Sequence, residues 1–340
     1  MLKRFTTMDL FENVNAPQEQ GIEQTEGSRK SGLTIIQKRI IETAVTVNTD
    51  PASIENASFL HSTLCQLGMP RKQIKERFFE RRSGSAHLRL TAGVLWNGKE
   101  WIEKPVPYGV PPRMIMIYLC SEAIKSGKTM IDVGDSLHEF MFRLGRLSND
   151  EDNALSGKKR IGGRTYAIFR EQVEALAACE LAIGVGNAEN HTTIKVNPID
   201  EFNSWLTNTG KEPGLWSGHI CLSEKFFQSL GSHAVPIDTR TLKSIQHSPL
   251  AIDIYTWLVY RLCQIKDRNG IKLTWHNLKE QFGQEYRDVK DFKKDFSNAL
   301  KQVTAVYQDA KIESCFGGLR FYNSPPPIPR KVTITLPSGM

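Results

Sequence analysis

Long apolar runs are missing from this 340-residue sequence. Its most apolar passages, such as Met114–Leu119 and Ile254–Val259, fall far short of the roughly 20 residues that a membrane-spanning helix needs. The opening stretch MLKRFTTMDLFENVNAPQ has basic residues but no apolar segment of signal-peptide length. Secretion and membrane insertion are therefore not expected, and a cytoplasmic protein is. Cysteine is sparse, at positions 65, 120, 179, 221, 263 and 315, with no C-x-x-C pair. That excludes the familiar redox and zinc spacings and leaves reduced, mostly buried thiols as the expectation.

Catalytic signatures are also lacking. Ser126-Gly127-Lys128-Thr129 ends like a phosphate-binding loop, but Glu122 stands where its first glycine belongs. The lysine there also precedes a predicted strand, whereas the motif needs it to open a helix. His138-Glu139 has Phe142 where a zinc protease has its second histidine. Gly184 and Gly186 have no third glycine for a dinucleotide fingerprint, and the eight histidines are scattered without a carboxylate cluster. No metal, no cofactor and no enzymatic activity are expected.

What the chain does hold is a modest cationic excess, 44 Lys and Arg against 37 Asp and Glu for a formal charge of +7, with apolar residues at 40%. The length suits about two domains with real cores, and the charge favours a polyanionic partner. Residues 1–32 are polar and read as a flexible arm. Residues 33–109 read as a helical and β-hairpin extension. It begins with LTIIQKRIIETA, continues as one or two helices over 58–82 carrying Arg71, Lys72, Lys75, Arg77, Arg81 and Arg82, and ends in a hairpin turning at Asn97-Gly98. The basic patch fits a phosphate contact or a solvated helix face. Edge-strand pairing by residues 90–104 is a candidate dimer contact.

From 110 to 200 the order becomes informative. Helix Pro112–Lys125, strand Thr129–Val133, a helix capped by Asp135 or Ser136, a longer helix Arg164–Cys179 and a hairpin over 180–197 follow one another. Ile168, Val173, Leu176 and Ala177 mark the inward stripe of the longer helix. Between 201 and 323 the order returns, after a strand over 215–222, a helix capped by Ser223 and a strand Val235–Asp238. Helices Thr239–Gln246 and Pro249–Gln264, strand Ile271–Thr274, helix Trp275–Phe282, a longer helix Asp288–Val306 and a hairpin around Gly317-Gly318 complete it. Residues 324–340 form a Pro-rich tail. The fold class is thus α+β, mainly helical, with two tandem winged-helix domains, 110–200 and 201–323, carrying β-hairpin wings. Trp257, Tyr255, Tyr260, Phe226 and Phe227 read as core, and Trp205 and Trp216 as packing between the units.

In such a unit the longer helix enters the major groove of duplex DNA. The segment before and within the first one, SGKKRIGGRTYAIFR, holds Lys158, Lys159, Arg160, Arg164 and Arg170 without an acidic residue. Its glycines let backbone approach a phosphate, while Arg164, Thr165 and Tyr166 stand at the helix start. An ordinary basic loop remains the alternative. On the second longer helix Lys290, Lys293, Lys294, Asn298 and Lys301 lie outside the apolar stripe of Val289, Phe292, Phe296, Leu300 and Val303. Asp288, Asp291 and Asp295 dilute that charge, so a salt-bridged solvent face stays open beside a DNA-reading one. Lys311 and Arg320 on the final hairpin are candidates for a minor groove or flanking phosphate, with His191 and Lys195 as weaker counterparts.

Residues 222–262, LSEKFFQSLGSHAVPIDTRTLKSIQHSPLAIDIYTWLVYRL, carry a more specific pattern. Ser223, Glu224, Phe226 and Phe227 open it, Val235–Asp238 form its strand, and Ser248, Pro249, Ala251, Asp253, Tyr255, Trp257 and Leu258 its helix. This resembles the signature region of the plasmid-encoded RepA replication initiators, with weaker similarity over about 90–325 and none in the first ~80 residues. The resemblance implies tandem winged helices that bind direct repeats of double-stranded DNA at a plasmid origin, help open an AT-rich segment, and recruit the host initiator and replicative helicase. It also implies a homodimer that represses its own promoter at an operator and an active monomer. A winged-helix transcriptional regulator without initiator activity is the alternative.

Overall fold

The computed structural model describes residues 33–84, 86–145, 163–186, 189, 191–202 and 218–329. The flexible arm, Lys158, Lys159 and Arg160, Trp205, Trp216 and the end of the Pro-rich tail lie outside the described residues. Two compact units emerge, one from the described parts of 1–56 and 238–330, the other from those of 57–237.

In the unit that contains the C-terminal half, core formation starts from the most apolar helix, Pro249–Leu262. Ser248 caps it, its side chain accepting from the Ala251 N–H, and Pro249 occupies the first turn. Nearly every side chain from Leu250 to Val259 is buried. Trp257 stands edge-on to Phe282 and Phe321 at centroid distances of 5.5 and 5.2 Å, which is core packing as its sequence context predicts. We number elements in chain order: α1 is Ile35–Thr49, α7 Thr239–Ile245, α8 Pro249–Leu262, α9 Trp275–Phe282 and α10 Val289–Val306. Strands β12 Ile271–Thr274, β13 Ile312–Cys315 and β14 Gly318–Phe321 form an antiparallel sheet in the order β12-β14-β13.

Helix α1 starts at a capping box between Thr34 and Gln37 and packs on α7 and α10. At its other end Arg240 bridges Asp50, 3.0 Å away, and the fully buried Asp238, 2.8 Å away. The Asp238 backbone N–H donates to the phenol oxygen of the buried Tyr255 at 2.9 Å. A buried carboxylate is tolerated because charged and polar donors meet it.

The other unit is built on α3, Val110–Ser126, which is buried along most of its length and ends at Gly127 with φ +68°. It packs on β1, Ala57–His61, which pairs with β11, Ala234–Asp238. Strands β6 Met130–Asp132, β10 His219–Leu222 and β9 Ile199–Phe202 make a second sheet in the order β6-β10-β9. A third holds β2 Phe78–Ser83, β3 Ala86–Thr91, β7 Glu180–Gly186 and β8 His191–Val196 in that order, all antiparallel. Strands β4 Val94–Trp96 and β5 Trp101–Glu103 form the hairpin around Asn97-Gly98. The helices are α2 Ser62–Gln66, α4 Leu137–Arg143, α5 Gly163–Ala178 and α6 Glu224–His233.

Three expectations change. Residues 57–83 hold the strands β1 and β2, with only α2 helical and 67–77 irregular: in β2 and β3 buried Phe79, Arg81, Leu88 and Leu90 alternate with exposed Phe78, Glu80, His87 and Arg89. Pairing to β3 overrides the helix propensity of that charged run. The inward stripe of α5 runs through Phe169, Val173 and Leu176, while Ile168 is 39% exposed; spacings of four and three keep one helix face, and the step of five from Ile168 does not. Finally, the units do not divide at 109/110 and 200/201, because α1 joins the C-terminal helices and β2 and β3 extend the β7-β8 hairpin.

The order helix, strand, helix, longer helix, hairpin occurs in both units. They differ in the strand: β12 joins its hairpin through β14, whereas β6 pairs with β10. Among the described residues no helix is long and apolar enough to cross a membrane, and no group of three or more His, Cys, Asp or Glu side chains could hold a metal ion. All six cysteines are free, with Cys65, Cys120 and Cys179 buried.

Candidate nucleic-acid interface

Helix α10 separates oil from charge most clearly. Phe292, Phe296, Ala299, Leu300 and Val303 are buried, while Lys290, Lys293, Lys294 and Asn298 are exposed and Lys301 half-buried. At 3.6 residues per turn, Lys290, Lys294 and Lys301 fall on the side away from Phe292, Phe296 and Val303. None of these lysines forms an ion pair among the described residues. Asp291 and Asp295 lie together on one flank, and the Tyr286 hydroxyl donates to Asp295 at 2.7 Å. The aspartates therefore do not cover the lysine face, and a salt-bridged surface is not what the geometry shows.

Helix α9 precedes α10 and is fixed by a capping box between Thr274 and Asn277. Its first residue, Trp275, packs edge-on against Phe296 at 6.1 Å and carries the Lys293 ammonium 5.1 Å over its ring. Gly283 closes α9 and lies against the Phe292 ring so tightly that an added Cβ would sit 2.4 Å from it. The two helices are thereby locked at their junction.

The β13-β14 hairpin stands beside them. Arg320 is half-buried and donates to the Asn269 carbonyl at 2.7 Å, with Lys272 and Glu313 as its cross-strand neighbours. The Tyr322 hydroxyl donates to Glu313 at 2.7 Å, and that bond holds the phenol above its ordinary range. Lys311 is exposed and lines a recess with Lys266, Arg268 and Glu313. Lys266 and Arg268 escaped the sequence reading because they fall in a turn without periodicity.

In the other unit Arg164 and Thr165 are exposed at the start of α5. Tyr166 is half-buried and its hydroxyl meets His138 Nδ1 at 2.6 Å, the rings stacked at 6.3 Å, so it ties α5 to α4. Arg170 is half-buried, its Nε without a hydrogen-bond partner among the described residues. His191 and Lys195 are exposed on β8, with Lys195 3.4 Å from Glu180.

The basic patch expected near 71–82 is partly spent internally. Arg77 contacts Glu103 at 3.2 Å and the carbonyls of Ala92 and Lys104. Arg81 is 2% exposed over the Phe79 ring, which removes it from any surface that phosphate could reach.

Residues 106–277, just over half of the chain, match the family described as plasmid encoded RepA protein, and the chain belongs to that family. Its function is accordingly replication-initiator-like. No curated protein sequence matches it. Among solved structures, the crystal structure of selenomethionine derivatives of domains 2 and 3 of RctB is 12% identical, covering 77% of this chain and 98% of that one at a TM-score of 0.43. A second crystal structure of RctB domains 2–3 is 11% identical, covering 76% and 94% at 0.42.

Proposed function

We propose that this chain initiates plasmid replication by binding repeated double-stranded sites at an origin, through two winged-helix units whose longer helices, α5 and α10, each enter a major groove. Arg164 and Thr165, with Lys158, Lys159 and Arg160 ahead of them, contact DNA in one unit. Lys290, Lys293, Lys294, Asn298 and Lys301 do so in the other, with Lys311 and Arg320 on the wing. Tyr166, whose hydroxyl also ties α5 to α4 through His138, and Arg170 complete the contacts made from α5. Once bound, the protein recruits the host initiator and replicative helicase, and as a homodimer it represses its own gene at an operator.

One observation carries the reading: a face of α10 with exposed Lys290 and Lys294, which form no ion pair among the described residues, directly behind a buried phenylalanine stripe. A duplex is the polyanion that a straight helix with a cationic face fits. Family membership supports the initiator role.

The test is charge reversal, Lys290→Glu with Lys294→Glu. Both side chains are exposed, so the fold should survive, as circular dichroism would check. Duplex affinity at moderate salt should fall by at least a hundred-fold, on the order expected when two phosphate contacts become repulsions. Unchanged affinity would exclude α10 as the DNA-reading helix. Asn298→Ala should instead lower only the preference for cognate over random sequence, by about 1–3 kcal/mol. Footprinting of the DNA flanking the gene should give regularly spaced protections, whereas a single symmetric site without plasmid maintenance would favour a regulator.

A further inference from the structure

The most exposed large apolar side chain among the described residues is Phe316, at 95%. It occupies the apex of the β13-β14 hairpin, between Cys315 and Gly318, the last and first strand residues. A lone exposed apolar residue is ordinary on a protein surface. This one is presented by a rigid support. Gly317 takes the left-handed φ of +78° that lets the chain reverse in two residues. Its carbonyl accepts the Trp275 backbone N–H at 3.1 Å. Gly318 lies so close to the Leu273 carbonyl that a Cβ would approach to 2.0 Å. The apex is thus bolted to the start of α9, at the residue whose ring carries the Lys293 ammonium.

An exposed aromatic ring therefore projects from an apex fixed to Trp275, the residue whose ring carries the Lys293 ammonium. No other exposed large apolar residue of the hairpin accompanies it, so it does not form the patch a stable protein interface requires. A flat ring on an apex anchored at Trp275, where the Lys293 ammonium lies, fits a polyanion with apolar faces between its stacked units.

We propose that Phe316 is a wedge: when α10 lies in the major groove, the apex enters the adjacent minor groove and Phe316 inserts at a base step, unstacking and kinking the duplex. This rests on the DNA-binding reading above and deepens it. Pyrimidine–purine steps, above all TA, open most easily, and aromatic or aliphatic wedges are the usual means of kinking from the minor groove. Within the proposed initiator function, the same insertion would weaken stacking where strands must separate.

The test uses the full chain and duplexes of about 30 base pairs, with 2-aminopurine at a central TA step and a fluorophore pair at the ends, at roughly 50 mM salt. Binding by the parent protein should raise the 2-aminopurine emission and shorten the end-to-end distance. Phe316→Ala should abolish both signals and weaken binding about ten-fold, with the salt dependence unchanged because no cation is lost. Phe316→Trp should restore the signals. Emission and bending that persist in Phe316→Ala would overturn the wedge, as would a parent complex that forms without either signal; in both cases DNA binding itself would stand. A parent protein that binds none of these duplexes would overturn the underlying reading as well.

Discussion

His61 is a buried base whose two ring nitrogens are both used. Its Nδ1 accepts the Thr63 N–H at 3.2 Å and so caps α2, which leaves the proton on Nε2, 3.1 Å from the Ser229 hydroxyl. Its ring stacks on Phe226 at 5.7 Å and on His233 at 5.3 Å. Burial, reinforced by His233, drives the imidazole from 6.5 down to about 4. The unfolded chain takes up a proton at an ordinary histidine pKa, whereas the folded chain resists until about 4. Stability from this residue is therefore complete above about 6.5 and drains away as pH falls towards 4. The whole effect is about 3 kcal/mol. His61→Asn keeps an acceptor near Nδ1 and removes the titration, so denaturant midpoints measured from neutral pH downward should fall less steeply than in the parent. Parallel pH profiles would show that protonation of His61 is not resisted by the fold.

At the scale of elements, the β13-β14 hairpin depends on two glycines in different ways. Gly318 lies under the Leu273 carbonyl, where an added methyl would sit at 2.0 Å. Relief would require opening the β12-β14 ladder. Gly317 has open space around it and only a positive φ to maintain. Gly318→Ala should therefore destabilise the unit by about 3 kcal/mol, and Gly317→Ala by about 1 kcal/mol; equal losses in thermal unfolding would contradict this account of the hairpin. Helices α7 to α10 and strand β12 were legible to within two residues, since Ser248-Pro249, Thr274 with Asn277 and the Phe292–Val303 stripe are local signals. The strands of 57–83 were not, because β2 exists through its partner β3 and a charged run such as KQIKERFFERR carries a helix-like local preference. Likewise the lysines of α10 were visible as a periodic face. Phe316 was not, because a single aromatic in a turn has no period to betray it, and its setting, an apex hydrogen-bonded to Trp275 with Lys293 over that ring, exists only in the fold.

For the whole molecule, a net charge of +7 distributed over 340 residues decides little by itself; what decides duplex affinity is how many cations touch phosphate at once. The candidates lie in two separate contact units, with Lys290 and Lys294 in one and Arg164 in the other. Each neutralised phosphate contributes about 0.9 to the slope of log affinity against log salt. Lys290→Gln with Lys294→Gln should therefore lower that slope by about 1.8, and adding Arg164→Gln by about a further 0.9, on a duplex long enough for both units. Distant, independent contacts should add in free energy. On a duplex of about 12 base pairs, little more than one helical turn, the two sets should cease to add, because only one unit can engage. If Arg164→Gln leaves the slope untouched on the long duplex while the α10 changes act in full, the two units do not share the DNA, and a single reading head on the C-terminal unit is the better description of this protein.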